Sequence, residues 1–302
     1  MSLIKEFAVE PRVMATWTHF NSLWEDFGVG KGRLISKFPV LWINKVDELA
    51  RLHSKPVQAS AISSKLRRDT HKFIVKSRNY SGTMDWLSNA RAQMNADPFH
   101  AIIATENPNA AEPVLIAGEF AKDEPPFQVL SQASVPRQAA DLARCASLLL
   151  RHSEEIRLID PYFDPSVARF RNSFRAFLQM RNASSPRLRV LEIHRKRDAG
   201  FSFEDLAQHY SRLAQSIPAG VMLKVYFWQQ REDGPDLHPR FLLTDVGGMN
   251  FENGLDEGEP GTVTLVTLLE HTVWQKCVRD YCRGSTTFAI TPDCILEIAG
   301  RR

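Results

Sequence analysis

The chain has 302 residues, 43% of them hydrophobic and 24% charged, with a formal net charge of +3. That composition suits a globular protein with room for two domains, and so small a charge gives no mandate for a nucleic-acid partner. No apolar run is long enough to span a bilayer and MSLIKEFAVEPRV lacks the apolar core of a signal peptide, so a cytoplasmic location without a transmembrane segment is expected.

In chain order, Val13, Trp17, Phe20 and Trp24 recur at three or four residues and predict one apolar helical face. A second helix is expected around Pro39 to Leu52, and a third segment from Pro56, so residues 1–80 read as a mainly helical region. GVGKGR, residues 28–33, lacks the GxxxxGK[ST] spacing and follows a helix, which makes it a loop. The most basic window, SSKLRRDTHKFIVKSR, gathers Lys65, Arg67, Arg68, Lys72, Lys76 and Arg78 against Asp69. Two readings stay open for it: a solvated helix face, or a surface that contacts nucleic-acid phosphates.

Residues 81–135 form an α+β segment with a linker. GTMDWLSNARAQM predicts a helix, HAIIATENPNAAEPVLIAGEF predicts two short strands joined as a hairpin through Asn-Pro-Asn, and KDEPPFQVLSQASVP, residues 122–136, is read as the domain boundary. Residues 136–302 alternate in type. A helix from Arg137 to His152 precedes the strand EEIRLIDPYFD and the helix VARFRNSFRAFLQM, which sets Phe170, Phe174, Phe177 and Leu178 on one side. RLRVLEIH, VMLKVYFWQ, RFLLTDV and GTVTLVTLLE follow as strands, with FEDLAQHYSRLAQSI and HTVWQKCVRDYC as helices. Such alternation predicts an α/β domain with a mostly parallel sheet covered on both faces. Cys145, Cys277, Cys282 and Cys294 show neither CxxC nor zinc spacing, so free thiols and no metal or cofactor are expected.

Chemistry concentrates in LHPRFLLTDVGGMN. On an extended chain His238, Arg240 and Leu242 share one face, and Phe241 and Leu243 the other. The pattern His238, Arg240, Asp245, then Gly247, Gly248 and Asn250 resembles the HxKxxxxD motif (HKD motif) of the phospholipase D-like superfamily, with Arg in place of the usual Lys. IRLIDPYFDPSVARF and the Gly-Leu-Asp of ENGLDEG are similar to segments of the MIT-C domain, a phospholipase D-like fold whose motif also has Arg second. The resemblance covers roughly residues 150–285 and implies a phospholipase D-like α/β/α sandwich.

What the resemblance implies chemically is a metal-independent phosphodiesterase. His238 would attack phosphorus, Arg240 would neutralise the non-bridging oxygens in bidentate fashion, and Asn250 would add a neutral donor. Glu270 has two readings: the acceptor that fixes the other nitrogen of His238, or a carboxylate favoured by a helix N-terminus. Asp245 is read as structural, and Gly247 and Gly248 as a tight turn that needs positive φ or close backbone approach. The chain holds a single motif: His100 has Ile102 where a cation should stand and Asn107 where Asp should, and His194 ends a strand. Single-motif nucleases of the superfamily pair two chains, so activity implies a homodimer. Three readings follow. One is a dimeric nuclease of a bacterial restriction or phage-defence system; another is a non-catalytic MIT-C-like module that binds phosphate-bearing ligands or protein partners. The third is an adaptor whose Trp17, Trp24 and Trp42 dock a protein partner.

Overall fold

The computed structural model describes residues 2–76, 78–108, 110, 114–197 and 202–301, of which 291–294 by backbone alone. Ile4–Leu130 forms one compact unit, and Ser131–Arg302 with the first three residues forms the other.

The first unit begins with β1 (Lys5–Val9), whose Phe7, Ala8 and Val9 are fully buried. Pro11 opens α1 (Pro11–Ala15), extended backbone at Thr16 interrupts the helix, and α2 (Trp17–Leu23) follows. Then come β2 (Arg33–Ser36), α3 (Trp42–His53), α4 (Pro56–Arg68) and β3 (Phe73–Ile74). α5 (Trp86–Ala96) starts where the Asp85 carboxylate accepts a hydrogen bond from the Ser88 amide, and β4 (Ala101–Ala104) and β5 (Val114–Ile116) complete the unit. The strands pair in the order β3-β2-β1-β4-β5, and every pairing is parallel. Phe7, Val9, Ile35 and Ile103 pack with α1 to α4 on one face; Ala8, Ile102 and Ala104 pack with Phe38, Phe99 and α5 on the other.

One expectation is refined and another corrected. Residues 1–80 are mostly helical, but β1, β2 and β3 lie among the helices and make a sheet that the sequence reading did not foresee; strands buried on both faces are short apolar runs without alternation. The two strands HAIIA and VLI do not form a hairpin. β4 and β5 run parallel, Ile102 beside Val114, since β4 takes its direction from β1 and β5 extends the same sheet. The connection between them lies partly outside the described residues.

The second unit comprises β6 (Gln132–Pro136), α6 (Ala139–Cys145), α7 (Ser147–His152), β7 (Glu155–Ile159), α8 (Ala168–Gln179) and β8 (Val190–Lys196). α9 (Phe203–Ser211), β9 (Met222–Gln230), β10 (Phe241–Thr244), β11 (Gly248–Phe251), β12 (Val263–Leu268), α10 (His271–Asp280) and β13 (Phe288–Ala299) follow. The sheet order is β13-β9-β8-β7-β10-β11-β12-β6. The sheet is mixed and not mostly parallel, which corrects a second feature of the sequence reading. Helices α8 and α9 make the crossovers that keep β7, β8 and β9 parallel, whereas β10, β11 and β12 reverse without helices between them, and β6 and β13 add antiparallel edges. β6 also occupies part of the segment read as a linker.

Candidate functional site

β10 runs antiparallel to β7, so its start meets the C-terminal ends of β7, β8 and β9. His238 stands in the loop that leads into that start, not on the strand, with a side chain 67% exposed. Its Nε2 lies 3.2 Å from Oδ2 of Asp236, and Oδ1 of Asp236 accepts from Nζ of Lys196, the last residue of β8, at 3.1 Å. The Lys196 ammonium and the Leu237 amide hold the Asp236 carboxyl below the usual carboxylate range, so it faces the imidazole as an anion. Arg240 is half-buried. Its guanidinium lies 5.4 Å from the centre of the Tyr162 ring, and Nη1 donates to the Glu252 carbonyl at 3.2 Å.

Tyr162 belongs to the DPYFD turn after β7, and that turn is joined to Gly-Leu-Asp through a buried carboxylate. Asp160 accepts from the Tyr162 amide at 3.0 Å and from the Leu255 amide at 3.2 Å. Burial pushes the Asp160 carboxyl up; the two amides and the Arg240 charge oppose that shift, and Asp256 adds to it. Asp256 is held by Arg137 at 2.8 Å and Arg169 at 3.0 Å. The two segments that carried the resemblance outside the motif therefore meet in space.

The other motif residues lie elsewhere. Asp245, at the far end of β10, accepts from the amides of Glu154 and Glu155 at 3.0 and 3.1 Å and so fixes the start of β7. The Gly247 carbonyl accepts from both the amide and the hydroxyl of Thr244. Neither Gly247 nor Gly248 has positive φ. Gly248 is needed for close approach instead: a Cβ there would stand 2.8 Å from Leu243, 3.0 Å from Leu269 and 3.1 Å from Trp274. Asn250 pairs with Phe241, so the pleat turns it to the opposite face from Arg240. Glu270 precedes α10 as its N-cap residue, at the Gly248 end of β10, because Leu269 follows β12 and donates to the Gly248 carbonyl. The carboxylate beside His238 is thus that of Asp236, and Glu270 sits at the other end of the strand.

His194 lies within β8, buried, its ring stacked on Tyr226 at 4.9 Å. Burial lowers its pKa, so the ring is neutral; Nδ1 accepts from Trp228 Nε1 at 3.0 Å, which leaves the proton on Nε2, 3.3 Å from Glu192. Glu192 is in turn held by Arg157 at 2.7 Å, and the whole group is core structure.

Cations of the 63–78 run face carboxylates of their own unit. Lys65 pairs with Glu25 at 3.0 Å, Arg67 with Asp47 at 2.6 Å, Arg68 with Asp69 at 2.6 Å and Lys76 with Asp97. Arg78 is buried against Glu6 at 2.9 Å with Phe99 below it, and buried Lys72 donates to the carbonyls of Trp24 and Phe27. Trp24 and Trp42 are fully buried and hydrogen-bonded to Asp69 and the Val9 carbonyl, while half-buried Trp17 packs on the same core. They form no exposed docking face.

Sequence reasoning missed Lys196, Asp236 and Tyr162. The signal for Lys196 was present in HRKR, which puts cations at the C-terminal end of a strand followed by a helix. Cys145 and Cys277 are buried free thiols and Cys282 is exposed; the Cys294 side chain lies outside the described residues. Among the described residues, no three His, Cys, Asp or Glu side chains gather as a metal site, and no helix is long and apolar enough to cross a membrane. Comparison with protein-family models, with curated proteins and with solved structures gives no match.

Proposed function

We propose that the second unit binds phosphodiesters at the His238 edge of its sheet and cleaves them as a homodimer, in the manner of a phospholipase D-like nuclease. The observation that carries this reading is the exposed His238 ring, with the Asp236 carboxylate on Nε2, the Lys196 ammonium on the same carboxylate, and Arg240 two residues along the chain over the Tyr162 ring. In this reading Nε2–H donates to Asp236, which fixes the tautomer and leaves the lone pair on Nδ1. Nδ1 attacks phosphorus, the bond to the leaving oxygen breaks, and Asp236 stabilises the imidazolium of the phosphohistidine. Lys196 and Arg240 meet the charge on the non-bridging oxygens. Each chain offers one such His, so a second copy's His238 would protonate the leaving oxygen and then take a proton from the water that hydrolyses the intermediate, as dimeric single-motif enzymes require.

The test is turnover of bis(p-nitrophenyl) phosphate and of single- and double-stranded DNA by the full chain in excess chelator, with mass measured by light scattering. Expected are a dimer, turnover, and its loss in His238→Ala with an acid-labile phosphoryl adduct on His238 of the unaltered chain. Turnover unchanged in His238→Ala, or by a strict monomer, would refute the mechanism. One observation favours recognition without cleavage: Arg240 is already engaged by Tyr162 and the Glu252 carbonyl. The signature of that second reading is DNA or phosphate binding that depends on Lys196 and Arg240 but gives no turnover.

A further inference from the structure

The first unit carries a crevice of its own. In its parallel sheet β1 and β4 are neighbours, yet the chain leaves β1 toward β2 and leaves β4 toward β5, on opposite sides. Connections diverge at such a point, and the gap outside the carboxyl ends of the two strands is where open α/β sheets hold ligands. A cavity of about 880 Å³ lies there, lined from the end of β4, from the segments that follow β1, β2 and β4, and from α1, α3 and α5. That is within the usual range for small-molecule sites, roughly 300 to 1,000 Å³. Its base is tied together: Glu10, the residue after β1, accepts through Oε2 from the amide and hydroxyl of Thr105, the residue after β4, at 2.8 and 2.7 Å.

The lining narrows the class of ligand. Arg12, Lys45 and Arg91 bring three cations to it, beside the carboxylates of Glu10, Asp85 and Glu106; Lys45 also pairs with Glu48 at 3.0 Å, an exposed contact of little strength that an anionic ligand can displace. Arg91 donates through Nη2 to Asn107 at 2.6 Å, while its buried Nε has no partner among the described residues. Tyr80, 39% exposed, and Trp86, whose Nε1 is anchored on the Phe38 carbonyl at 2.9 Å, supply aromatic surface. No glycine loop follows β1, since Glu10 leads straight into Pro11 and α1, so backbone amides do not cradle phosphate and side-chain cations must meet the charge. A ligand that satisfies the lining has an anionic group for the cations and a flat ring for the aromatic wall, joined by a part whose hydroxyls donate to Glu10 or Glu106. We infer that this crevice binds a nucleotide, independently of the His238 edge.

Calorimetric titration of the full chain with AMP, ADP, ATP and inorganic phosphate tests it. A nucleotide is expected to bind with a Kd on the order of micromolar, and inorganic phosphate at least about tenfold more weakly. Arg12→Ala combined with Lys45→Ala, both exposed and away from the core, should weaken nucleotide binding about tenfold or more, and Tyr80→Ala should do the same. His238→Ala should leave it unchanged. Three results would each overturn the inference: no nucleotide binding at millimolar concentration by folded protein; phosphate bound as tightly as nucleotide; or binding that survives the Arg12 and Lys45 changes and is lost with His238.

Discussion

Lys72 offers the sharpest test of whether the basic run of residues 63–78 binds nucleic acid or builds the fold. Its Nζ donates to the carbonyls of Trp24 at 2.8 Å and Phe27 at 3.0 Å and lies 3.4 Å from Glu25, with the side chain 6% exposed. Lys72→Met keeps the apolar stem and removes the donors, so that the Phe27 carbonyl loses its bond at about 1 to 3 kcal/mol and the Trp24 carbonyl keeps the long 3.4 Å bond from the Phe27 amide. Relief of the buried ammonium's desolvation offsets part of this, so a net loss of about 1 to 3 kcal/mol is expected. At roughly 3 °C per kcal/mol, the melting transition of the first unit should fall by about 3 to 9 °C. Tryptophan fluorescence follows that transition, since Trp24 and Trp42 are buried in this unit. The pH dependence has a definite sign. Burial lowers the Lys72 pKa from the ordinary 10.5, so the native state gives up this proton before the unfolded chain does. Stability therefore rises with pH in the window between the lowered value and 10.5, and Lys72→Met should abolish that contribution. A variant with unchanged melting and weakened nucleic-acid binding would refute the reasoning and return Lys72 to a phosphate-facing surface.

If DNA binds at the His238 edge through Lys196 and Arg240, the logarithm of the binding constant should fall with the logarithm of salt concentration with a slope of about −2 per chain; use of the six cations of the basic run would bring it to about −5. Asp245→Ala removes the acceptor of two amides and should cost about 1 to 2 kcal/mol in urea unfolding while leaving any turnover of the folded protein intact. Gly248→Ala sets a methyl group among Leu243, Leu269 and Trp274 and should destabilise by about 1 to 3 kcal/mol; a neutral result would mean that the strand shifts to admit it. Arg240→Ala should lower the melting temperature more at pH 7 than at a pH below the ordinary aspartate value of 3.8. Asp160 has its pKa raised by burial and loses a compensating cation only while it is ionised; equal losses at the two pH values would show that Asp160 and Arg240 are uncoupled.

Residues whose environment is local were legible in the sequence. The apolar side of α8, with Phe170, Phe174, Phe177 and Leu178, follows from helical spacing, and Pro56 marks the start of α4. Segments DPYFD and Gly-Leu-Asp also stood out before their junction at Asp160 was visible. What failed depends on strand direction and order. β1 to β3 are short and buried on both faces, so they lack the alternation that identifies a strand. Glu270 ends an apolar run just as a catalytic strand-end acid would. Two reversals, at β10 to β11 and β11 to β12, carry it to the Asp245 end of the sheet, and no spacing rule encodes that. Asp236, which does reach His238, precedes it by two residues in a loop rich in polar residues and carries no distinguishing pattern.

Charge accounting also separates the sites. A cation that is matched by a carboxylate of its own unit gains little by meeting a phosphate, because it must first give up that partner; this holds for Arg67 with Asp47, Arg68 with Asp69 and Arg78 with Glu6. At the His238 edge the balance differs. Asp236 is shared by Lys196 and His238, one carboxylate against an ammonium and an imidazole, and Arg240 bonds a carbonyl and faces a ring, with the buried Asp160 carboxyl the acidic group that feels its charge. A phosphodiester brought to that edge supplies the negative charge the local groups do not. The number of cations in a stretch of sequence is therefore a poorer guide to anion binding than the number whose charge the fold itself leaves unmatched.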